Sequence, residues 1–284
     1  MKNKDFAVFI ISHGRPDNVV TYKTLKKCGY SDRIYYIVDN EDKTIEQYKK
    51  NFGDDNVVIF DKKAIADKVD EGNNFDDRKT TTHARNACFE IAEKLDITYF
   101  IVLDDDYINF RYRFIDKYTT KGYVKNLDVF FDIMLEYFIK SSFHSIAFAQ
   151  GGDFIDGESC GLITNYLYIS RKCMNSFICS TERPFQFVGQ LNEDVNTYVT
   201  LGSKGYLFLT VPFIGLEQLQ TQGQSGGMTE AYLQFGTYCK SFTTVMMHPS
   251  SVKVSMMGFT SKRLHHSIKW KNTIPLIINE KYKK

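Results

Sequence analysis

None of the six cysteines (Cys28, Cys88, Cys160, Cys173, Cys179 and Cys239) belongs to a CxxC pair, so the chain lacks the ligand spacing of a structural zinc site. They lie in apolar-patterned segments, which suits reduced core thiols in a cytosolic protein. No run approaches the roughly 18 apolar residues that a membrane helix needs. The apolar run after the first lysines is too short for the core of a signal peptide, and it ends in His13-Gly14-Arg15-Pro16 in place of a small-residue cleavage site. Neither GxGxxG nor GxxxxGK[ST] occurs, which removes the usual marks of a dinucleotide fold and of a P-loop. Neither sign of charge dominates: 36 lysines and arginines face 34 aspartates and glutamates, a net +2. That balance argues against holding nucleic acid by bulk electrostatics alone and leaves room for a local basic groove. The expectation is a soluble, cytoplasmic protein without a membrane partner.

With 43% hydrophobic and 25% charged residues, the 284-residue chain has material for a large core and an ordinary globular surface. Internal repeats and separating linkers are also missing, so 1–284 reads as one domain. Phe6 to Ile11 is a continuous apolar run, the pattern of a strand buried on both faces. Asp17 suits the cap of a helix running through Leu25, with Gly29 at its C-terminal stop. Short strands follow at Ile34 to Val38, Val57 to Phe60 and Tyr99 to Leu103, separated by helical pattern over Thr44 to Phe52 and Thr82 to Leu95. Asp70 to Lys79 is polar and reads as a loop. Further on, Leu127 to Ile139 and Glu193 to Leu201 read as helices, and Ser145 to Ala149, Asn165 to Ile169 and Tyr206 to Val211 as strands. The Gln/Gly/Ser-rich stretch Gln218 to Met228 reads as a mobile lid or a plain surface loop. Strand–helix alternation of this kind predicts an α/β fold with a mostly parallel sheet flanked by helices. Such sheets bind ligands at the carboxyl ends of their strands.

Three polar clusters fall at those ends: Ser12–Arg15, Asp39–Glu41 and Asp104–Asp106. A strand ending in carboxylates suits a hard divalent cation held against phosphate oxygens, Mg²⁺ or Mn²⁺; in isolation the triplet would be a solvated acidic turn. Gly14 lets backbone approach a ligand and Arg15 can pair with phosphate, unless the segment is an ordinary strand-to-helix turn. Asp39 suits hydrogen bonds from a base or ribose, or the cap of the next helix. Arg85 and Asn86, on the helix preceding the acidic strand, are within reach of the same crevice, unless Arg85 is an ordinary surface arginine. Glu193 and Asp194 open a helix, where the dipole favours acids; the sharper reading is a carboxylate that takes a proton from an acceptor hydroxyl. His248 follows a long helical segment and is a candidate imidazole ligand or a structural histidine. Arg263, His265 and His266, in a basic tail running to Lys284, suit a leaving diphosphate or DNA phosphates, or are simply solvated.

The Ser-containing turn, the Asp after the second strand, Ala84-Arg85-Asn86 and Leu103-Asp104-Asp105-Asp106 together resemble GT-A glycosyltransferases with a DxD motif, a Rossmann-like fold. Within that class the chain most resembles the phage and TET-associated DNA-base glycosyltransferases related to the base J glucosyltransferase, which put sugars on hydroxymethylated pyrimidines in DNA. The resemblance implies a UDP-sugar donor, a Mn²⁺ or Mg²⁺ cofactor, DNA as partner, and a host-cell cytoplasmic location if the protein is phage-encoded. It also implies a nucleotide-sugar-binding half at 1–110 and an acceptor-binding half at 111–284. Residue by residue, it implies nucleotide or sugar contacts for Ser12, Arg15, Asp39, Arg85, Asp104 and Asp105. Asp106 and His248 become metal ligands, and Asp194 with Glu193 the catalytic acidic pair. Transfer to polysaccharide or protein, nucleotidyl transfer, and an inert GT-like binding module are the alternatives.

Overall fold

The computed structural model describes residues 5–72, 78–113, 120–150, 175–219, 229–257 and 262–273. The first part alternates β1 (Phe6–Ile11), α1 (Val20–Lys27), β2 (Ile34–Asp39), α2 (Ile45–Phe52), β3 (Val57–Phe60), α3 (Lys62–Ala66), α4 (Thr82–Lys94) and β4 (Tyr99–Asp104). The remainder gives β5 (Tyr107–Arg113), β6 (Thr120–Tyr123), α5 (Leu127–Lys140), β7 (Ser145–Gln150), β8 (Ser176–Ser180), α6 (Glu193–Ser203), β9 (Phe208–Gln218), α7 (Thr229–Met247), β10 (Val252–Met257) and β11 (Arg263–Ile268). Nine strands form one sheet in the order β3-β2-β1-β4-β8-β7-β9-β5-β6, and β10 and β11 form a separate antiparallel ribbon. In the large sheet β8 runs against β4 and β7, and β5 against β9 and β6; the other pairs are parallel. The expected mostly parallel α/β sheet is present.

Alternation along β1 shows why its sequence is apolar throughout. Phe6, Val8 and Ile10 enter a core shared with Leu25 of α1, Tyr48 of α2 and Phe131 of α5. Ala7, Phe9 and Ile11 enter a second core with Ala87, Cys88, Ile91 and Ala92 of α4 and Val195 and Val199 of α6. Both faces of the strand are covered, so a polar residue at any of these positions would be buried without a partner. Cys28, Cys88 and Cys179 are buried thiols as expected, whereas Cys239 is exposed. Among the described residues no helix is long and apolar enough to cross a membrane.

The structure departs from the sequence expectations in specific places. Asp17 does not cap α1, which starts at Val20 with Val19 in the cap position; its carboxylate accepts instead from Asn51 Nδ2 at 2.9 Å. The 206–211 strand starts at Phe208 and runs on to Gln218. β5, β6 and the ribbon escape the apolar-run criterion because polar or charged residues interrupt them, and β8 because its apolar run is only Phe177 to Cys179. Asn165 to Ile169, Cys160 and Cys173, and most of Gln218 to Met228 lie outside the described residues.

The stop at Gly29 is as expected, and its geometry explains why glycine is there. Gly29 N donates to Lys26 O and Tyr30 N to Leu25 O, the paired bonds of a Schellman end. Its φ is +83°, and a Cβ would collide with the carbonyl oxygen of Lys125. We expect Gly29→Ala to lower stability by at least about 1–2 kcal/mol through the left-handed backbone alone, with the collision adding to it, measured as a shift in urea midpoint at constant m-value.

Candidate functional site

Because β1, β2 and β4 are parallel neighbours, their carboxyl ends stand side by side, and the predicted clusters meet there. Ser12 Oγ lies 2.7 Å from the Tyr48 hydroxyl and donates to Asp105 Oδ2 at 2.5 Å. The Arg15 amide donates to the same tyrosine oxygen at 3.0 Å, and Arg15 Nη1 reaches Asp105 Oδ1 at 3.3 Å. Burial pushes the Tyr48 hydroxyl up to about 12, so it stays protonated. Asp105 is thus the inward member of the acidic triplet, clamped to the first turn. The sequence offered no sign of Tyr48 beyond its helical position.

Asp39 is buried at 4% exposure. Its Oδ2 is 2.6 Å from His13 Nδ1, and its Oδ1 is 3.5 Å from Lys62 Nζ. Burial alone would raise its pKa, but the His13 bond and the Lys62 charge prevail and hold it below the usual carboxylate range. The capping alternative for Asp39 does not hold, since Thr44 is the cap residue of α2; Asp42 instead ties the turns together, accepting from Thr44 N at 2.7 Å while its other oxygen takes the Gly14 amide at 2.7 Å. Asp42 and Lys62 were missed, since nothing in a single sequence separates them from surface charges.

Below these ends sits Arg85, 1% exposed, with its guanidinium against the rings of Phe177 and Phe187. Its Nη2 donates to Asp104 Oδ1 at 3.0 Å and to Asn175 Oδ1 at 3.3 Å. Its Nη1 is 2.7 Å from Glu193 Oε1, a charge contact off hydrogen-bond alignment, and Thr81 Oγ1 donates to that same carboxylate oxygen at 2.6 Å. The helix start thereby comes to the end of β4. The Asn86 amide turns away and clamps the Phe187 backbone in both directions, at 2.8 and 2.9 Å.

Asp106 meets a neutral partner. Gln218 Nε2, at the end of β9, donates to its Oδ1 and Oδ2 at 2.9 and 3.1 Å. Burial raises the pKa values of Asp104, Asp105 and Asp106 above the ordinary carboxylate range, and neighbouring acids push the same way; Arg85 opposes this at Asp104 and Arg15 at Asp105. A half-buried carboxylate held by one amide beside two other acids is a place where added positive charge is favourable. Among the described residues, however, no three His, Cys, Asp or Glu side chains form a ready metal-binding group.

Asn192 precedes the acidic pair in a left-handed conformation, φ 55° and ψ 38°, which asparagine tolerates better than most residues. Its Nδ2 donates to Lys240 O at 2.5 Å and faces Thr244 Oγ1 at 3.3 Å, tying α6 to α7. Glu193 and Asp194 are both buried. His248 is half-buried at the end of α7, and its described side-chain bond is to Ser250 Oγ at 3.4 Å. Arg263 is exposed on the ribbon and His266 is buried within it.

The family model described as TET-Associated Glycosyltransferase matches residues 6–227. No curated protein sequence matches. Among solved structures the chain is similar to glucosyl-3-phosphoglycerate synthase from Mycobacterium tuberculosis in complex with Mn²⁺, UDP and phosphoglyceric acid, at 9% identity over 96% of this chain and 88% of that one, with a TM-score of 0.47. It is also similar to S. aureus TarS 1-349 in complex with UDP-GlcNAc, at 10% identity over 76% and 59%, TM-score 0.43. A third is the mannosyltransferase PcManGT from Pyrobaculum calidifontis in complex with GDP-Man and Mn²⁺, at 12% identity over 86% and 73%, TM-score 0.44.

Two outcomes follow from the buried charges. Arg85→Met removes the cation that two carboxylates face, and we expect a loss of about 3–5 kcal/mol in urea unfolding, the usual cost of leaving buried charge unpaired. For His13, the bond to Asp39 raises the pKa above 6.5 despite partial burial. The bond therefore stabilises the fold fully below pH 6.5 and is lost as pH rises through the raised value; at the acid end it is lost as pH falls through the lowered Asp39 pKa. An NMR titration of the His13 ring should give a midpoint above 6.5, and Asp39→Asn should bring it down.

Proposed function

The chain belongs to the TET-associated glycosyltransferase family, and within that family we propose that it moves a sugar from a UDP-sugar to the hydroxymethyl group of a pyrimidine in DNA. The observation that carries the site is the meeting of Ser12, Asp39, Asp104–Asp106 and Glu193 at the carboxyl end of one sheet, where α/β folds bind ligands. The TET-associated name of the family is what suggests DNA as the acceptor.

In this reading Ser12, Arg15 and Asp39 line the nucleotide side, and Asp104 and Asp105 the sugar side. Arg85, being buried, serves the donor from below by fixing Asp104 and Glu193. Asp106 and His248 would be the residues that hold Mn²⁺ or Mg²⁺, an oxygen and an imidazole donor suited to such a cation. Bound there, the cation would offset negative charge developing on the departing diphosphate. Arg15 adds positive charge on the same side. In an inverting transfer Asp194 takes the proton of the acceptor hydroxyl; in a retaining one it orients the donor sugar.

The test is a panel of nucleotide sugars incubated with DNA containing hydroxymethylcytosine or hydroxymethyluracil, followed by digestion and nucleoside mass spectrometry. One UDP-sugar should add its glycosyl mass to the modified nucleoside. Asp106→Asn should cost more than the roughly 10–100-fold expected of an outer-shell change, and His248→Ala should raise the Mn²⁺ needed for half-maximal rate by about tenfold or more. Modification of a sugar polymer with DNA untouched would overturn the acceptor, and near-normal Asp106→Asn activity would overturn the metal assignment.

A further inference from the structure

The net charge of +2 conceals a segregation along the chain. From Ala231 to Asn279 there are six lysines and arginines (Lys240, Lys253, Lys262, Arg263, Lys269 and Lys271) and no aspartate or glutamate. That stretch carries a formal +6, which leaves −4 for the rest of the +2 chain. Lys253, Lys262, Arg263, Lys269 and Lys271 are exposed, and none has an ion-pair partner among the described residues. Cations concentrated without acids are what an anionic polymer selects.

The ribbon's register sorts these residues by face. Lys253 stands opposite Ser267, Ser255 opposite His265, and Met257 opposite Arg263, so Lys253, Arg263 and His265 share one face with two serines. The other face carries Val252, which joins the core with Ile268 and with Val245 of α7. α7 adds a second feature. Tyr238 is 55% exposed and Phe242 39%, one helical turn apart, and their rings stack at 5.8 Å with 7° between planes. Met246, 47% exposed, continues the stripe. Exposed parallel rings serve as a platform for other flat groups, and every nucleobase offers a π-face. The same helix holds Asn192 through Lys240 O and Thr244, so the platform belongs to the element that abuts the Glu193–Asp194 turn.

We infer that α7 and the β10–β11 ribbon form the docking surface for a single nucleic-acid strand, with Lys253, Lys262 and Arg263 on its phosphates and Tyr238 and Phe242 stacking a base. This rests on DNA being the acceptor and adds to it where the strand lies. A sugar polymer without charge would use the rings and leave the cations idle. A second copy of this chain docking through the same face would meet like charge with like.

The probe is a fluorescein-labelled single strand of about 20 nucleotides with one hydroxymethylcytosine, long enough for a strand-tracking groove. Its anisotropy is followed at several salt concentrations, with UDP affinity and melting temperature as controls. Lys253→Gln/Lys262→Gln should raise Kd about tenfold near 0.1 M salt and flatten the salt dependence by about one to two counterions. Tyr238→Ser/Phe242→Ser should raise Kd about tenfold with the salt slope kept, the behaviour of lost stacking. Both variants should melt and bind UDP like the parent. If the parent modifies DNA while both variants bind the strand unchanged, this surface is wrong and the acceptor stands. If the parent neither binds nor modifies the strand, surface and acceptor fall together. Dimerisation that Tyr238→Ser/Phe242→Ser abolishes, with strand binding intact, would assign the rings to a second copy and overturn the inference.

Discussion

A buried guanidinium between two carboxylates holds this site together. Arg85 is 1% exposed, so its charge must be answered by protein, and Asp104 answers it at Nη2 and Glu193 at Nη1. Burial works against its protonation, but those two acids prevail and keep its pKa above the ordinary arginine value. A pair buried in this way adds little net stability compared with apolar packing of the same volume, yet leaving one partner alone is costly. The consequence is geometric. Asp104 belongs to β4 and Glu193 to α6, so one cation fixes the distance between the sheet's end and the acidic helix start. Phe177 and Phe187 close around it and restrict where it can go.

The same economy governs the turn after β4. Thr21, fully buried in the first turn of α1, donates through Oγ1 to the Asp104 carbonyl at 2.6 Å, and its amide donates to the Asp105 carbonyl at 3.0 Å. Its hydroxyl then accepts from the Tyr107 amide at 2.9 Å. Three acids in sequence repel each other, and these bonds hold the backbone that carries them in one conformation. The side chains diverge accordingly: Asp104 goes to Arg85, Asp105 to Ser12 and Arg15, and Asp106 to Gln218. Only the last is held by a neutral side chain without a guanidinium beside it in hydrogen-bond reach, and that difference, invisible in the run Asp104-Asp105-Asp106, is what singles it out.

Much of the first hundred residues was legible because burial on both faces leaves a strong mark. β1 to β4, α4 and the Gly29 stop follow from apolar runs, helical spacing and one left-handed glycine. The second half was harder for a physical reason. β5, with the sequence Tyr-Ile-Asn-Phe-Arg-Tyr-Arg, is half-exposed and carries charged side chains, such as Arg111 against Glu217. β8 is a five-residue strand whose place depends on pairing with β4 and β7, partners far away in sequence. Partners were less legible than participants. Ser12, Asp39 and Asp104–Asp106 stood out by position, whereas Tyr48, Asp42, Lys62 and Gln218 are ordinary until folding brings them to the strand ends.

The expected division into a donor half and an acceptor half meets a constraint in the sheet itself. β4 leads directly into β5, yet β5 pairs at the far edge with β9 and β6, while β8 and β7 fill the space between. The later strands therefore complete the same hydrogen-bonded sheet as the first four. Gln218, from β9, is bonded to Asp106, and Glu193, from α6, is in charge contact with Arg85. A cut near residue 110 would open the sheet and leave Arg85 and Asp106 without the partners that position them. A substrate that shifts Gln218 therefore reaches Asp106 through one bond, and one that shifts the Asn192 turn reaches Asp104 through the contacts that Glu193 and Asp104 make with Arg85.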